Sequence, residues 1–252
     1  MNTDTMQGNH EQQAYDRGIT IFSPDGRLYQ VEYAREAVKR GSASVGVRTP
    51  EGVVLAADRR ARSPLIEEES IEKIHGVDDH VALASAGHVA DARKLIDFAR
   101  RRAQVEKLRY DESIGVETLT KAVTDHIQEY TQTGGARPFG VALLVGGVEN
   151  GEPRLFETDP SGTPYEWQAT AIGGGREDIQ SHLEDNYEDD LSLEEGIGLA
   201  LEAIAEASDD GITASGVELT TIAAESGRVE PVTEETIADH IEDRDLGGED
   251  DE

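Results

Sequence analysis

The order of the apolar segments constrains the fold of this chain more than any other feature. Strand-like runs alternate with pairs of helical segments, and the series ends in one strand and one helix. The predicted strands span 42–49, 52–58, 71–77, 81–87, 139–148, 154–159, 163–173 and 214–225, and the predicted helices span 27–40, 90–109, 116–132, 176–187, 192–208 and 233–243. Strands joined by short turns pair in antiparallel fashion. The order therefore predicts an α+β fold in which two antiparallel sheets pack together and helices cover the outside.

The composition indicates one sizeable core. The chain has 252 residues, of which 37% are hydrophobic, and this length suits one domain or at most two. Cysteine is absent, which excludes disulfides, thiolate metal sites and cysteine nucleophiles. No apolar run approaches the roughly 18 residues of a membrane helix, and the polar N-terminus lacks the apolar core of a signal peptide. We therefore expect a cytoplasmic protein with no membrane partner.

The charge balance is strongly acidic, with 53 acidic and 23 basic residues and a net charge of −30. A nucleic-acid partner is not expected, because such binding depends on basic residues that neutralise phosphates. The acidity could serve a basic partner, or it could adapt the surface to very high salt, where screening reaches only a few Å. The acidic residues are spread along the whole chain, which favours the salt-adapted surface. Only residues 244–252 form an acidic tail, which we predict to be disordered.

The segment ahead of the first strand carries defined local chemistry. The sequence SPDG at 23–26 predicts a turn, because proline fixes φ and glycine permits the reversal. From 27 to 40, apolar residues recur at three- and four-residue steps, and Gly41 is a candidate cap for the end of this helix. Residues 1–14 show no periodicity and are predicted to be disordered.

Motifs for nucleotide, esterase or zinc chemistry are missing from the sequence. It contains no GxxxxGK[ST], no GxSxG and no HExxH, and its seven histidines form no metal-binding pair at helical spacing. We therefore predict no cofactor and no metal. The glycines at 173–175 precede a helix and could bind an anion with their amides or form a plain turn. The absence of the lysine and hydroxyl residue of a phosphate loop favours the turn.

Three polar residues at strand ends form the sharpest candidate for catalysis. Ser42 opens the first predicted strand, Asp58 ends the second, and Lys73 lies on the third. A serine at a new N-terminus, with its own amine as base and a lysine and an aspartate nearby, is an established nucleophile arrangement. It would require cleavage after Gly41. The alternative is that Ser42 is an ordinary strand residue of an uncleaved chain.

The run YDRGITIFSPDGRLYQVEYAREA at 15–37 resembles the N-terminal signature of proteasome α-type subunits. The resemblance continues through GVVLAAD, SIEKI, VADAR, QEYTQTGGARPFGVALLVGG and WQATAIGGG, and covers about residues 15–243. The acidity is similar to that of an archaeal member from a salt-rich cell. The resemblance implies a single domain at 15–243, preceded by a flexible gate arm at 1–14, with 27–40 as its N-terminal helix. The implied fold is the four-layer αββα sandwich of N-terminal-nucleophile hydrolases.

The same resemblance implies a structural and gating role without catalytic residues. Seven α subunits would form each outer ring of a cylinder whose inner β rings carry the threonine nucleophile. The retained helix would lie where a β subunit exposes its nucleophile, so that Ser42, Asp58 and Lys73 would be a remnant of shared ancestry. Partners implied are other α subunits, β subunits, an activating AAA ATPase and unfolded proteins in transit.

Two sets of residues match functional positions of the family. The gate set consists of Tyr15, Asp16, Arg17, Pro24 and Tyr33, which would stabilise the open arrangement of the arm over the axial pore. The docking set consists of Lys73, Gly87, Leu28, Glu32 and Gly41, which would form a pocket between adjacent subunits. There Lys73 would pair with the C-terminal carboxylate of the ATPase.

Two other functions remain open on the sequence alone. A peptidase that cleaves itself to expose Ser42 is suggested by the three residues at the strand ends. An acidic scaffold or chaperone unrelated to proteolysis is compatible with the charge.

Overall fold

Six helices and ten strands make up the part of the chain that the structure describes. This computed structural model describes residues 22–24, 26–61, 63, 65–133, 136–208 and 210–247. The helices are α1 (Tyr29–Lys39), α2 (Val89–Tyr110), α3 (Val116–Gln132), α4 (Arg176–Asn186), α5 (Leu193–Glu206) and α6 (Glu234–Asp243). The strands are β1 (Ser44–Thr49), β2 (Gly52–Asp58), β3 (Ile74–Asp78), β4 (Val81–Gly87), β5 (Val141–Glu149), β6 (Glu152–Thr158), β7 (Pro164–Glu166), β8 (Ala169–Ile172), β9 (Val217–Ala223) and β10 (Val229–Pro231).

The strands form two five-stranded antiparallel sheets. The first sheet has the order β10-β9-β2-β1-β8, and the second has the order β3-β4-β5-β6-β7. Both hairpins predicted near the N-terminus are present: Thr49 pairs with Gly52 in the first, and Asp78 pairs with Val81 in the second. The two antiparallel sheets expected from the order of the elements are therefore confirmed.

Burial follows a four-layer arrangement of helices, sheet, sheet and helices. One cluster of buried side chains joins β1 and β2 to α4, α5 and α6, and another joins β4 and β5 to α2 and α3. A third cluster lies between the sheets. In β5, Leu143 and Val145 contact the helical layer, whereas Leu144 contacts the other sheet. Because both faces of the central strands are buried, their sequences are continuously apolar. The predicted αββα sandwich is confirmed.

The segment predicted as one strand at 163–173 is instead divided between the two sheets. β7 lies at an edge of the second sheet and β8 at an edge of the first. The Trp167 amide donates to the Leu155 carbonyl at 2.9 Å, and the Arg48 amide donates to the Gln168 carbonyl at 2.7 Å. The chain thus passes from one sheet to the other between Trp167 and Gln168. A single apolar pattern conceals this change, because both halves have strand-like composition.

Other differences concern a missed strand and the ends of elements. Ser42 was predicted to open the first strand and Lys73 to lie on the third, but these strands begin at Ser44 and Ile74, so both residues lie just before them. The sequence did not predict β10, which has three residues and ends in Pro231, so it carries little of the alternation that indicates a strand. The helix predicted at 27–40 begins two residues later, at Tyr29. Residues 1–21 and 248–252 lie outside the described residues. Within the segment predicted as a tail, the Leu246 amide donates to the Ile241 carbonyl at 3.0 Å.

Helix α1 is fixed to the sandwich by one apolar face and one ion pair. Val31, Ala34 and Val38 are buried, and the helix packs against β4 and β5. On the polar side, Arg35 donates from Nε and Nη2 to Asp159 Oδ2, at 3.1 and 2.7 Å. Asp159 lies just after β6, so this contact ties the helix to the second sheet.

The first turn of α2 is held by a buried carboxylate. Asp91 is 3% exposed and accepts hydrogen bonds from Arg137 Nη2 at 2.8 Å and from the Gly140 amide at 2.9 Å. Burial alone would raise the pKa of Asp91, but the hydrogen bonds from Arg137 and Gly140 and the charge of Arg137 hold it below its ordinary value. The interaction fixes α2 against the segment that leads into β5.

We expect Asp91→Asn to lower the free energy of unfolding by about 1–3 kcal/mol, because the buried Asp91 side chain would lose its charge-assisted hydrogen bonds from the more exposed Arg137 and from the Gly140 amide. The depressed pKa means that the wild-type contribution is present at neutral pH and is lost as the pH falls through the folded-state pKa. Thermal unfolding of the purified chain at several pH values measures both effects. Asp97→Asn, an exposed site on the same helix, is the matched control and should change little. Equal stability of the two variants would contradict the role of Asp91.

Candidate functional site

A cleft of about 1280 Å³ lies between α1, residues 66–73 and the first half of α2. Its walls are Tyr33, Glu36, Ala37 and Arg40 from α1 and Val89, Ala90, Ala92, Arg93, Ile96, Asp97 and Arg100 from α2. Gly41, Ser42, Lys73 and Gly87 also line it. This volume exceeds that of an ordinary small-molecule pocket, and the cleft can accept a segment of peptide.

Lys73 lies just before β3, and its amine is bound to Ser42. Its Nζ donates to the Ser42 carbonyl at 2.9 Å and to Ser42 Oγ at 2.8 Å. Burial lowers the pKa of Lys73 to about 8, although the charges of Asp58 and Glu218 oppose this shift. An ammonium group has three donors, and the described residues supply acceptors for two of them.

Asp58 contributes its backbone, not its carboxylate, to this group. Ser42 Oγ donates to the Asp58 carbonyl at 2.8 Å. The Asp58 carboxylate instead accepts from Arg60, with Nε and Nη2 each at 3.1 Å. The structure therefore brings Ser42, Asp58 and Lys73 together, but it places an arginine on the carboxylate that a catalytic lysine would use.

Glu218 is a residue of the site that the sequence did not predict. It lies on β9, and its Oε2 accepts from the amides of Lys73 at 2.7 Å and Ile74 at 3.2 Å. Burial raises the pKa of Glu218, and the two backbone hydrogen bonds and the charge of Arg59 oppose that rise. The carboxylate fixes the backbone from which Lys73 extends. A single acid within the apolar run VELTTIA was the available signal.

Glycine backbones approach each other closely at the cleft, where the end of α1 meets β4. A Cβ on Gly41 would lie 2.4 Å from the Gly87 nitrogen, and a Cβ on Gly87 would lie 2.4 Å from the Gly140 oxygen. Gly87 also has φ +116°, which favours glycine. Gly41 was predicted as the cap of α1, but Arg40 occupies the C-cap position. Gly41 is needed for the approach of two backbones instead.

The glycines at 173–175 form the turn that the sequence favoured. The Gly174 amide donates to the Gly41 carbonyl at 2.8 Å, so it is occupied within the chain. A Cβ on Gly173 would lie 2.7 Å from the Ser42 carbonyl. The turn therefore packs directly against the backbone of Gly41 and Ser42.

The predicted docking residues divide into two groups within one chain. Lys73, Gly87 and Gly41 line the cleft, whereas Leu28 and Glu32 do not. Leu28 is the N-cap of α1, and Glu32 pairs with Arg35 at 2.7 Å. They lie about two and a half helical turns or more from Gly41. The five residues therefore do not line one cleft within a single chain.

The predicted gate residues are described only in part. Pro24 lies in a turn in which the Gly26 amide donates to the Ser23 carbonyl at 2.8 Å and the Ser23 amide donates to the Arg27 carbonyl at 2.9 Å. Tyr33 is 51% exposed and lines the cleft. Tyr15, Asp16 and Arg17 lie outside the described residues, so their cluster with Pro24 and Tyr33 stays a prediction.

The described ranges contain neither a cluster of metal ligands nor a membrane-spanning helix. No group of three histidine, aspartate or glutamate side chains there is arranged to hold a metal ion. No helix among these residues is both long enough and apolar enough to cross a membrane.

We expect Gly41→Ala to destabilise the fold by about 2–4 kcal/mol, because its Cβ would overlap the Gly87 backbone and separate α1 from β4. Gly76→Ala is the matched control, since a Cβ there meets no atom within 4 Å. Thermal unfolding of the two variants under identical salt measures the difference. A Gly41→Ala variant as stable as Gly76→Ala would show that the two backbones can separate at little cost.

Comparison with known proteins covers nearly the whole chain. The family model for proteasome subunits matches residues 38–222, and the model for the N-terminal signature of A-type proteasome subunits matches residues 15–37. The chain is 70% identical over 248 residues to the alpha 1 proteasome subunit of Haloferax volcanii, which covers 98% of each protein. It is 71% identical over 244 residues to the alpha 2 proteasome subunit of Haloarcula marismortui, covering 97% of this chain and 100% of the relative. It is also 65% identical over 238 residues to the alpha proteasome subunit of Halobacterium salinarum, covering 94% of each. The chain therefore belongs to the proteasome family, within its α type.

Proposed function

We propose that this chain is a non-catalytic subunit of the outer rings of the proteasome core particle, and that it gates entry and docks an activating ATPase. The observation that carries this proposal is Lys73, which lines a peptide-sized cleft and whose amine has two acceptors, both on Ser42, among the described residues. The further partners expected are six other α subunits in each ring, the β subunits, and unfolded proteins that pass to the proteolytic chamber. A cytoplasmic location stays a prediction from the sequence.

The bonding of Ser42 supports a non-catalytic role over the self-processed peptidase. Its hydroxyl proton is donated to the Asp58 carbonyl, and its oxygen accepts from the Lys73 amine. A nucleophile needs a base that can take this proton, and a carbonyl cannot serve. The Lys73 amine, with a pKa of about 8, is mainly protonated at neutral pH and donates to the Ser42 oxygen. The Ser42 nitrogen could act as that base only after cleavage behind Gly41, which would also remove α1. The apolar face of α1 would then leave the core, at the cost of its hydrophobic stabilisation.

The chemistry of Lys73 suits a terminal carboxylate. A compact ammonium group can pair with one carboxylate oxygen as a point charge, and partial burial reduces the screening of that pair by water. Glu218 holds the backbone of Lys73 and Ser42 holds its amine before a ligand arrives, which lowers the entropy cost of binding. Leu28 and Glu32 would then enter the same pocket from the neighbouring subunit.

The gating proposal rests on the N-terminal signature and the turn at Pro24. Because proline fixes φ, a small rotation of this turn would move all residues that precede it. Helix α1 is anchored through Arg35 and Asp159, so it provides a fixed base for that movement. Hydroxyl and carboxylate groups of Tyr15, Asp16 and Tyr33 could bond between neighbouring arms in the open arrangement.

We expect docking through Lys73 to weaken as the pH rises through about 8, because the amine then loses its proton. Fluorescence anisotropy of a labelled peptide with a free C-terminus, titrated onto assembled particles from about pH 6.5 to about pH 9.5, measures this loss. The free energy of unfolding should change in the opposite sense. Since the folded-state pKa lies below the ordinary 10.5, stability should increase from about pH 8 towards 10.5.

Two variants control the docking experiment. Lys73→Met removes the charge and should abolish binding at every pH. Lys73→Arg keeps the charge and should remove the pH dependence while binding more weakly. Binding by Lys73→Met equal to wild type would exclude Lys73 from the docking site.

Deletion of residues 2–13 should speed hydrolysis of short and long peptides by particles assembled with β subunits, because the arm would no longer obstruct the pore. Initial rates with and without the ATPase measure the effect, and the difference made by the ATPase should shrink in the deletion variant. A variant in which residues 2–13 are replaced by a Gly/Ser segment of equal length controls for bulk alone. Unchanged rates in the deletion variant would contradict a gate.

A further inference from the structure

The charge of the cleft is opposite to that of the protein as a whole. The chain carries a net charge of −30, yet the side chains that line the cleft include five basic and three acidic residues. The basic ones are Arg40, Arg60, Lys73, Arg93 and Arg100, and the acidic ones are Glu36, Glu72 and Asp97. On so acidic a protein, a basic cleft attracts negatively charged ligands that the rest of the surface repels.

Two of these basic residues are not committed to internal ion pairs in the described part of the chain. Arg60 pairs with Asp58, and Lys73 is bound to Ser42. Arg93 makes no ion pair with a described side chain, and Arg100 uses its Nε on the Gly76 carbonyl at 3.0 Å rather than on a carboxylate. The guanidinium groups of Arg93 and Arg100 can therefore bind an external carboxylate without first breaking an ion pair.

Arg93 and Arg100 lie on the same wall of the cleft. They are seven residues apart on α2 and so lie on one face of the helix. Burial lowers the pKa of His75, and the charges of Arg100 and Arg93 lower it further, while Glu72 opposes them. Seven residues of helix span about 10 Å, which is the length of about three residues of extended peptide.

The cleft also offers exposed apolar surface. Tyr33, Ile66 and Val89 are 51%, 45% and 69% exposed and line the cleft. Apolar side chains beside basic ones match a ligand that combines apolar and acidic residues.

Building on the proposed docking of a C-terminus at Lys73, we propose that Arg93 and Arg100 form a second subsite that selects acidic partner segments. Lys73 binds the terminal carboxylate, and the two arginines bind acidic side chains that precede it. Tyr33 and Val89 contact apolar side chains of the partner segment that lie between its terminal carboxylate and its acidic residues. Lys73 thus sets whether a C-terminus docks, and the arginines set which C-terminus docks.

The test uses particles assembled with β subunits and three labelled peptides that share one apolar sequence. The first has Glu at the third to sixth positions from a free C-terminus, the second has Gln at those positions, and the third is the Glu peptide with an amidated C-terminus. Anisotropy titrations at one fixed KCl concentration that keeps the particles assembled give each Kd. We expect the Glu peptide to bind about threefold to tenfold more tightly than the Gln peptide, a preference that should decline with added salt.

The double variant Arg93→Gln/Arg100→Gln should abolish the preference for Glu while the Gln peptide binds as before. Lys94→Gln/Arg101→Gln makes the same charge change one residue further along the helix, at exposed positions that do not line the cleft, and should keep the preference. An equal Glu-to-Gln ratio in wild type and the Arg93/Arg100 variant would overturn the subsite and leave docking at Lys73 standing.

Two other outcomes distinguish this inference from the proposed function. Tight binding of the amidated peptide, or of any peptide to Lys73→Met particles, would overturn docking at Lys73 itself. Failure of the Arg93/Arg100 variant to form rings, with Lys94→Gln/Arg101→Gln rings intact, would assign the two arginines to contact with a neighbouring copy of the chain and overturn the subsite.

Discussion

The contact between the backbones of Gly41 and Gly87 is the constraint on which the site depends. It allows the end of α1 to lie directly on the end of β4, with no side chain between them. Ser42 is the next residue, and it accepts a hydrogen bond from the amine of Lys73. Gly173 and Gly174 pack against the backbone of Gly41 and Ser42. A Cβ on Gly41 would separate this helix from the sheet. The geometry of the cleft is therefore set by the absence of side chains.

The chemistry of this region shows how one group of residues can serve different purposes. A serine, a lysine and an aspartate meet at the ends of strands, as a nucleophile arrangement would require. Their bonds are directed otherwise: Ser42 donates to the Asp58 carbonyl, the Asp58 carboxylate accepts from Arg60, and the Lys73 amine donates to Ser42. The peptide bond between Gly41 and Ser42 decides between the two purposes, because it removes the free amine. A receptor for a carboxylate is what this arrangement supports best.

The sequence predicted the sandwich well because its elements carry clear local signals. Helix α3 was predicted with its observed bounds, and the strands buried on both faces are continuous apolar runs. The passage between sheets at Trp167 and Gln168 was not predictable, since no local pattern distinguishes one sheet from another. Glu218 was missed for a related reason. Its partners are backbone amides 144 and 145 residues away, and nearly every residue has such an amide, so the sequence does not mark which ones Glu218 binds.

Part of the site was predictable only through the family resemblance. Lys73, Gly41 and Gly87 carry no local pattern that joins them, and the resemblance supplied the prediction that they share a docking pocket. Arg93 and Arg100 looked like ordinary charges on an amphipathic helix. Only the position of α2 beside α1 and residues 66–73 shows that they face a cleft.

The passage of the chain at Trp167 and Gln168 has a mechanical consequence. Consecutive residues hydrogen bond to opposite sheets, one through its amide and the other through its carbonyl. The two sheets therefore cannot slide along each other at this edge without breaking a backbone hydrogen bond in one of them. A displacement of one sheet at this edge is therefore transmitted to the other through two consecutive residues.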